Sequence, residues 1–326
     1  MILYQWRGAA PNFGDELNGM LWPRLLPGFF DQDESTRFLG IGSVLDDRHD
    51  RSAIKLVAGS GYGGYERHIE LDETWVIHWV RGQRTARGLN LPPELGLGDP
   101  ASLLPLSGLL PLSGPLPLSG LASPGVPDHA SGGTGFMPHF ESAMRGAWQE
   151  VCDAAGVTLI DPRGDPHTII AAIAACRVVL SEALHGAIVA DALRVPWIAI
   201  LPLAPIHRSK WFDWAETLGL RLEFHAVPPS TALERAHLSG LSGYHIGRRV
   251  LHRRGALLRG IAPRRHIDRA AVALRLAAGT EPRLSGDTML DRAQSRMLET
   301  LAVLRCEPMQ GWRDGTTARG PARSCR

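Results

Sequence analysis

The stretch Arg177-Val-Val-Leu-Ser-Glu-Ala-Leu-His-Gly-Ala-Ile-Val-Ala-Asp-Ala-Leu-Arg-Val-Pro-Trp-Ile-Ala-Ile-Leu201 decides the class of fold. Two short apolar runs, Arg177–Ser181 and Trp197–Leu201, have the length and composition of buried strands. Between them Leu184–Leu193 has helical spacing, and Val195-Pro196 closes that helix and opens the next strand. Strand, helix and strand in so short a span are the unit of a parallel sheet.

The same alternation extends outward. Gly135–His139 and Val157–Ile160 read as strands, and Phe140–Ala154 and Pro166–Cys176 as helices. In the first third, Ile2–Trp6, Phe38–Ile41, Ile54–Ala58 and Trp75–Val80 are strand candidates, and Asp15–Leu26 carries Leu17, Met20, Leu21 and Leu25 at helical spacing. The expectation is an α/β protein of two Rossmann-like domains, 1–102 and 135–305, with a cleft between them where ligands bind. A Pro/Leu/Ser/Gly linker, 103–134, is expected to join them, and 306–326 to form a flexible tail. Three tandem hexamers fill 103–120: LLPLSG, LLPLSG and PLPLSG. Prolines 105, 111, 115 and 117 argue against a helix or a central strand there.

Composition narrows the function classes. The 326 residues are 44% hydrophobic, which supplies core material, and a net charge of +2 gives no bulk attraction to nucleic acid. The four cysteines, Cys152, Cys176, Cys306 and Cys325, show no C-x-x-C spacing, so reduced thiols are expected rather than a zinc site or a disulfide framework. Met1–Arg7 lacks the pattern of a signal peptide, and no run of about 18 apolar residues occurs. A cytoplasmic protein is the expectation. Arg248–Arg275 carries nine arginines against the single acid Asp268, which raises peripheral contact with an anionic membrane or pairing with acids of the first domain. Leu284–Leu304 reads as a final amphipathic helix.

Five stretches could carry chemistry. Asn12-Phe-Gly-Asp-Glu-Leu-Asn18 opens the first helix, where Asn12 or Asp15 can cap and free N–H groups suit an anion or a sugar hydroxyl. Gly59-Ser-Gly-Tyr-Gly-Gly64 follows a strand, and its backbone could approach a ligand or simply flex. In His78–Ala86, Arg81 and Arg84 could grip phosphate or carboxylate, or lie on the surface. In Ser181–Asp191, Glu182 and His185 stand at a strand-to-helix turn, a position that favours acid/base work over a buried structural histidine. In His207–Trp214, Lys210 follows the next strand, and Trp211 and Trp214 are either core or a platform for sugar stacking.

In this order these motifs resemble the polysaccharide pyruvyl transferase family, in its bacterial exopolysaccharide branch. The resemblance rests on Asn12–Asn18, Phe38–Ser43, Gly59–Gly63, His78–Thr85, Gly98-Asp-Pro-Ala101, Met137-Pro-His139, Ser181–Asp191 and His207–Trp214. It implies a GT-B-like pair of domains, phosphoenolpyruvate as donor, a lipid-linked oligosaccharide as acceptor and no cofactor or metal. Where family members carry an Arg-Leu-His triplet near the donor, this chain has Ala183-Leu184-His185, so another cation must supply the missing charge: Lys210, Arg81 or Arg84. Acid/base roles are expected of His185, Glu182 and Asp15, and substrate contacts of Asn12, Arg81, Arg84, His139, Lys210 and Trp211. The rival readings are a sugar-nucleotide glycosyltransferase on the same architecture and a non-catalytic glycan- or anion-binding protein.

Overall fold

The computed structural model describes residues 1–64, 69–109, 132–238 and 261–306. Two parallel sheets carry the fold. The first has the order β1 (Ile2–Leu3), β2 (Thr36–Leu39), β3 (Ile54–Ala58) and β4 (Trp75–Trp79), with all pairs parallel. The second has five strands: β6 (Thr158–Leu159), β5 (Thr134–Met137), β7 (Val178–Ser181), β8 (Trp197–Ile200) and β9 (Phe224–His225), in that spatial order. Because β7 and β8 are covered by helices on both faces, all their residues are buried and apolar or small.

The described α-helices are α1 (Phe13–Leu25), α2 (Gln83–Gly88), α3 (Phe140–Arg145), α4 (Trp148–Ala155), α5 (Pro166–Ala174), α6 (Leu184–Ala192), α7 (Ser209–Thr217), α8 (Ala232–Leu238), α9 (Arg264–Ala278) and α10 (Asp287–Cys306). The single helix expected over Phe140–Ala154 is two, because the chain turns extended at Gly146.

A packed seam joins the two sheets. One apolar core runs from Leu17, Trp22 and Phe38 under the first sheet to Leu184, Ile188 and Trp197 under the second. It passes through Leu103 and Leu104, both fully buried in a 3-10 helix over Pro100–Leu106. This corrects the linker boundary at 103: Leu103, Leu104 and Pro105 of the first hexamer are core, since a short 3-10 turn accommodates Pro105 where a longer α-helix would not. Residues 110–131, with the other two hexamers, lie outside the described residues. Helix α10 crosses back onto the first unit, where Gln294 Nε2 donates to the Ser102 carbonyl (2.7 Å) and Arg296 to that of Glu94 (2.7 Å).

Candidate active site

The carboxyl ends of β5 and β7, the amino end of α1 and the segment before Pro100 meet at the seam. His185 lies in the first turn of α6, its side chain 14% exposed. Its ring presses on α1 at Gly14, where a Cβ would come within 1.9 Å of Nδ1; only glycine admits this approach. On its other edge Nε2 lies 3.5 Å from Asp99 Oδ2. Asp99 is 1% exposed, and its Oδ1 accepts the Ala101 amide at 3.0 Å, capping the 3-10 helix. Burial pushes its carboxyl up, but His185 and then Arg81 overcome this and hold it below its usual range.

Asp15, one residue after Gly14, is also buried, and burial pushes its carboxyl up to about 6 against the opposing pull of His185, Asn12 and Lys210. Asn12 Nδ2 donates to its Oδ2 at 2.5 Å. Lys210, half-buried at the start of α7, bears electrostatically on Asp15, His139 and His207. His139 and His207 stack with ring centroids 3.8 Å apart and planes 26° apart. Burial, with Lys210 next, keeps the His139 imidazole neutral well below its ordinary pKa. His207 Nε2 meets Glu141 Oε2 at 3.0 Å.

His139, Glu141 and His207 place ligand-type atoms within 4.8 Å of one another. Glu141 also takes an Arg145 guanidinium at 3.3 Å, and Lys210 adds a second positive charge nearby. That donor set suits a hydrogen-bonded anion or hydroxyl better than a metal ion.

His185, Asp15, Asn12, His139 and Lys210 thus gather in one place. Four other expected site residues do not face it as ligand groups. Arg81, 1% exposed, gives Nε to Asp213 (3.1 Å), NH1 to the Ser43 hydroxyl (2.8 Å) and NH2 to the Tyr62 carbonyl (3.2 Å). The glycine-rich loop exists for this packing: a Cβ on Gly61 would strike the Arg81 guanidinium at 2.3 Å. Arg84 pairs with Glu216 (2.9 Å) on the outside of the α2–α7 contact. Trp211 is fully buried among Trp197, Trp214 and Phe224, so it is core and not a sugar platform. Glu182 is 2% exposed and accepts from the His139 amide (2.9 Å), the Ser142 hydroxyl (2.9 Å) and the Leu203 amide (3.0 Å). It ties three loop ends together, and its lone pairs are already committed.

Asp99 and Glu141 are the site residues that sequence reasoning passed over. Asp99 stood inside a recognised Gly-Asp-Pro motif, but an Asp before Pro reads first as a helix cap, which it also is.

A family model for polysaccharide pyruvyl transferase matches residues 139–202, the span that holds His139, Glu141, Glu182 and His185. The succinoglycan biosynthesis protein ExoV of Rhizobium meliloti (strain 1021) is 38% identical over 233 residues, covering 71% of this chain and 69% of that protein. The chain belongs to the polysaccharide pyruvyl transferase family. It is a transferase of that family, built on α/β units with parallel sheets. No solved structure matches it significantly. No helix among the described residues is long and apolar enough to cross a membrane.

Proposed function

We propose that this pyruvyl transferase moves the pyruvyl group of phosphoenolpyruvate onto two hydroxyls of a hexose in an exopolysaccharide repeat unit, forming a pyruvate ketal and releasing phosphate. The observation that carries the reading is the meeting of His185, Asp15 and Lys210 at the seam of a family member. Phosphoenolpyruvate presents a carboxylate and a phosphate on one small frame, so its site needs cations and N–H donors. Lys210, which bears electrostatically on Asp15, His139 and His207, is the cation that replaces the charge missing at Ala183. The first turns of α1 and α6 add their N–H groups. The two facing parallel sheets suit a GT-B-like reading of the architecture.

The chemistry has three events. His185 as general acid gives a proton to the methylene carbon, which becomes the methyl group and leaves an oxocarbenium-like C2. One sugar hydroxyl adds to C2 and loses its proton, for which Asp15 is the acceptor. A second hydroxyl then bonds to C2 as the C2–O bond to phosphate breaks; its proton returns to His185, and inorganic phosphate departs with the proton that Asp15 took. His139 and His207 line the same space as neutral hydrogen-bonding groups for phosphate or sugar. The acceptor is a lipid-linked oligosaccharide, and the outer ridge of α9, with Arg265, Arg269, Val272 and Leu276 all exposed, is the surface that contacts an anionic membrane.

The test supplies lipid-linked oligosaccharide acceptor with phosphoenolpyruvate or with sugar nucleotides. Phosphate release and a pyruvate methyl signal on the glycan are expected with phosphoenolpyruvate, and their loss by about 10²–10⁴-fold in His185→Ala. Product formed only from a sugar nucleotide would replace the reading with a glycosyltransferase.

A further inference from the structure

Asp99 and His185 approach each other from different halves of the chain, and neither facing atom has another use. Asp99 Oδ2 and His185 Nε2 are both buried and have no hydrogen-bond partner among the described residues, yet they lie 3.5 Å apart. Hydrogen bonds between catalytic groups are often this long without substrate and tighten in the substrate complex. The other Asp99 oxygen is fixed on the Ala101 amide, so the carboxylate cannot turn away.

We propose that Asp99 is the positioning residue of the reaction: it holds the proton of neutral His185 on Nε2 and leaves Nδ1 to exchange protons with the reactants. An ionised carboxylate only accepts hydrogen bonds, so the imidazole nitrogen that faces it must donate. Arg81, anchored by Asp213, helps keep Asp99 ionised although it is buried. With Nε2 buried against Asp99, Nδ1 lies on the ring's other edge, against Gly14 and beside Asp15. A side chain at Gly14 would displace the ring, so the motif brings this edge of the imidazole to the start of α1. The inference rests on the reading of His185 as the acid/base group.

Asp99→Asn tests it. Asparagine keeps the shape and the Oδ1 cap of Ala101, but it presents an amide donor to His185. The ring must then accept at Nε2 and carry its proton on Nδ1, so it can neither become the imidazolium that donates from Nδ1 nor take a proton back at that atom. The expected result is a kcat lowered by roughly 10²–10⁴-fold with KM changed less than about threefold, and a thermal midpoint close to wild type. The pH profile should lose the limb assigned to His185. Independently of activity, the nitrogen chemical shifts of the His185 imidazole should place its proton on Nε2 in the wild type and on Nδ1 in Asp99→Asn. Asp99→Ser, which keeps a cap acceptor but cannot reach the imidazole, is the second probe. An unchanged His185 tautomer in Asp99→Asn, or wild-type kcat in either variant, overturns the proposal. Should wild-type protein show no pyruvyl transfer, the functional reading fails, while the tautomer still decides the Asp99–His185 coupling.

Discussion

Arg81 and Asp213 are 132 residues apart in sequence and meet at 3.1 Å in the interior. Both are almost fully buried, and Asp213 also accepts from the Thr85 amide (3.0 Å) and hydroxyl (2.6 Å), so one carboxylate holds the end of β4, the start of α2 and the middle of α7. The pair is a clasp between the two sheets. Removing either partner strands a buried charge, a change that typically costs about 3–5 kcal/mol. Arg81→Ala and Asp213→Ala are each expected to destabilise by that order in urea melts. Arg84→Ala, which breaks a half-exposed pair, is expected to cost less than about 1 kcal/mol and to leave the KM for phosphoenolpyruvate unchanged.

The hexamer repeat is not uniform in role. Leu103 and Leu104 of the first copy are fully buried in the core shared by the two sheets. Leu104→Ala is therefore expected to cost about 2–5 kcal/mol, measured by chemical denaturation. Deletions within 110–120, which the sequence reads as linker, are expected to cost far less, since shortening a flexible linker changes closure entropy by well under about 1 kcal/mol.

The strands were legible because a buried parallel strand is a short apolar run with little else around it: Ile54–Ala58 was read with its observed bounds, and the others shifted by one to three residues. Two-residue β9 has too little pattern to read. Leu103 and Leu104 were misread because proline argues against α-helix, whereas the chain used a 3-10 turn. At the site, His185, Asp15 and Lys210 were visible as polar residues at strand and helix ends. Arg81 and Trp211 were equally visible and wrongly placed, because their fates depend on Asp213, Trp197 and Phe224, which are remote from Arg81 or unmarked by any spacing. A motif shows where a side chain starts and leaves open what it meets.

The basic stretch divides in the same way. Arg264 pairs with Asp268 at 3.2 Å and Arg275 reaches the Ala154 carbonyl, so part of the charge is used within the molecule. Residues 239–260, with five of its nine arginines, lie outside the described residues. What remains is a ridge at spacings of four, three and four: Arg265, Arg269, Val272 and Leu276, the last 70% exposed. Residues at that spacing share one helix face. Flotation with anionic vesicles at low salt should recover the protein, and neutral vesicles or high salt should not. Arg265→Glu with Arg269→Glu removes at least about 2 kcal/mol of attraction, roughly a thirty-fold loss of partitioning. Equal recovery on neutral and anionic vesicles would remove the membrane role.

Asp15 makes the site's pH dependence explicit. Its carboxyl is raised from an ordinary 3.8 to about 6, chiefly by burial. A group whose pKa rises on folding binds its proton more tightly in the folded state, so its contribution is fully favourable below about pH 4 and is lost as the pH climbs through 6. Above that, an ionised buried carboxylate is held in the fold at a cost of up to about 3 kcal/mol, moderated by His185 and Lys210. Asp15→Asn keeps an acceptor for Asn12 and removes the charge. At pH 7.5 it should therefore be more stable than wild type, and the difference should shrink to near zero by pH 4. The same substitution removes the acceptor for the sugar hydroxyl proton, so kcat should fall while stability rises. Paired melts of the two proteins from pH 4 to 8 cancel the background titration of all other groups. A stability difference independent of pH would show that Asp15 is not the strained carboxylate of the site.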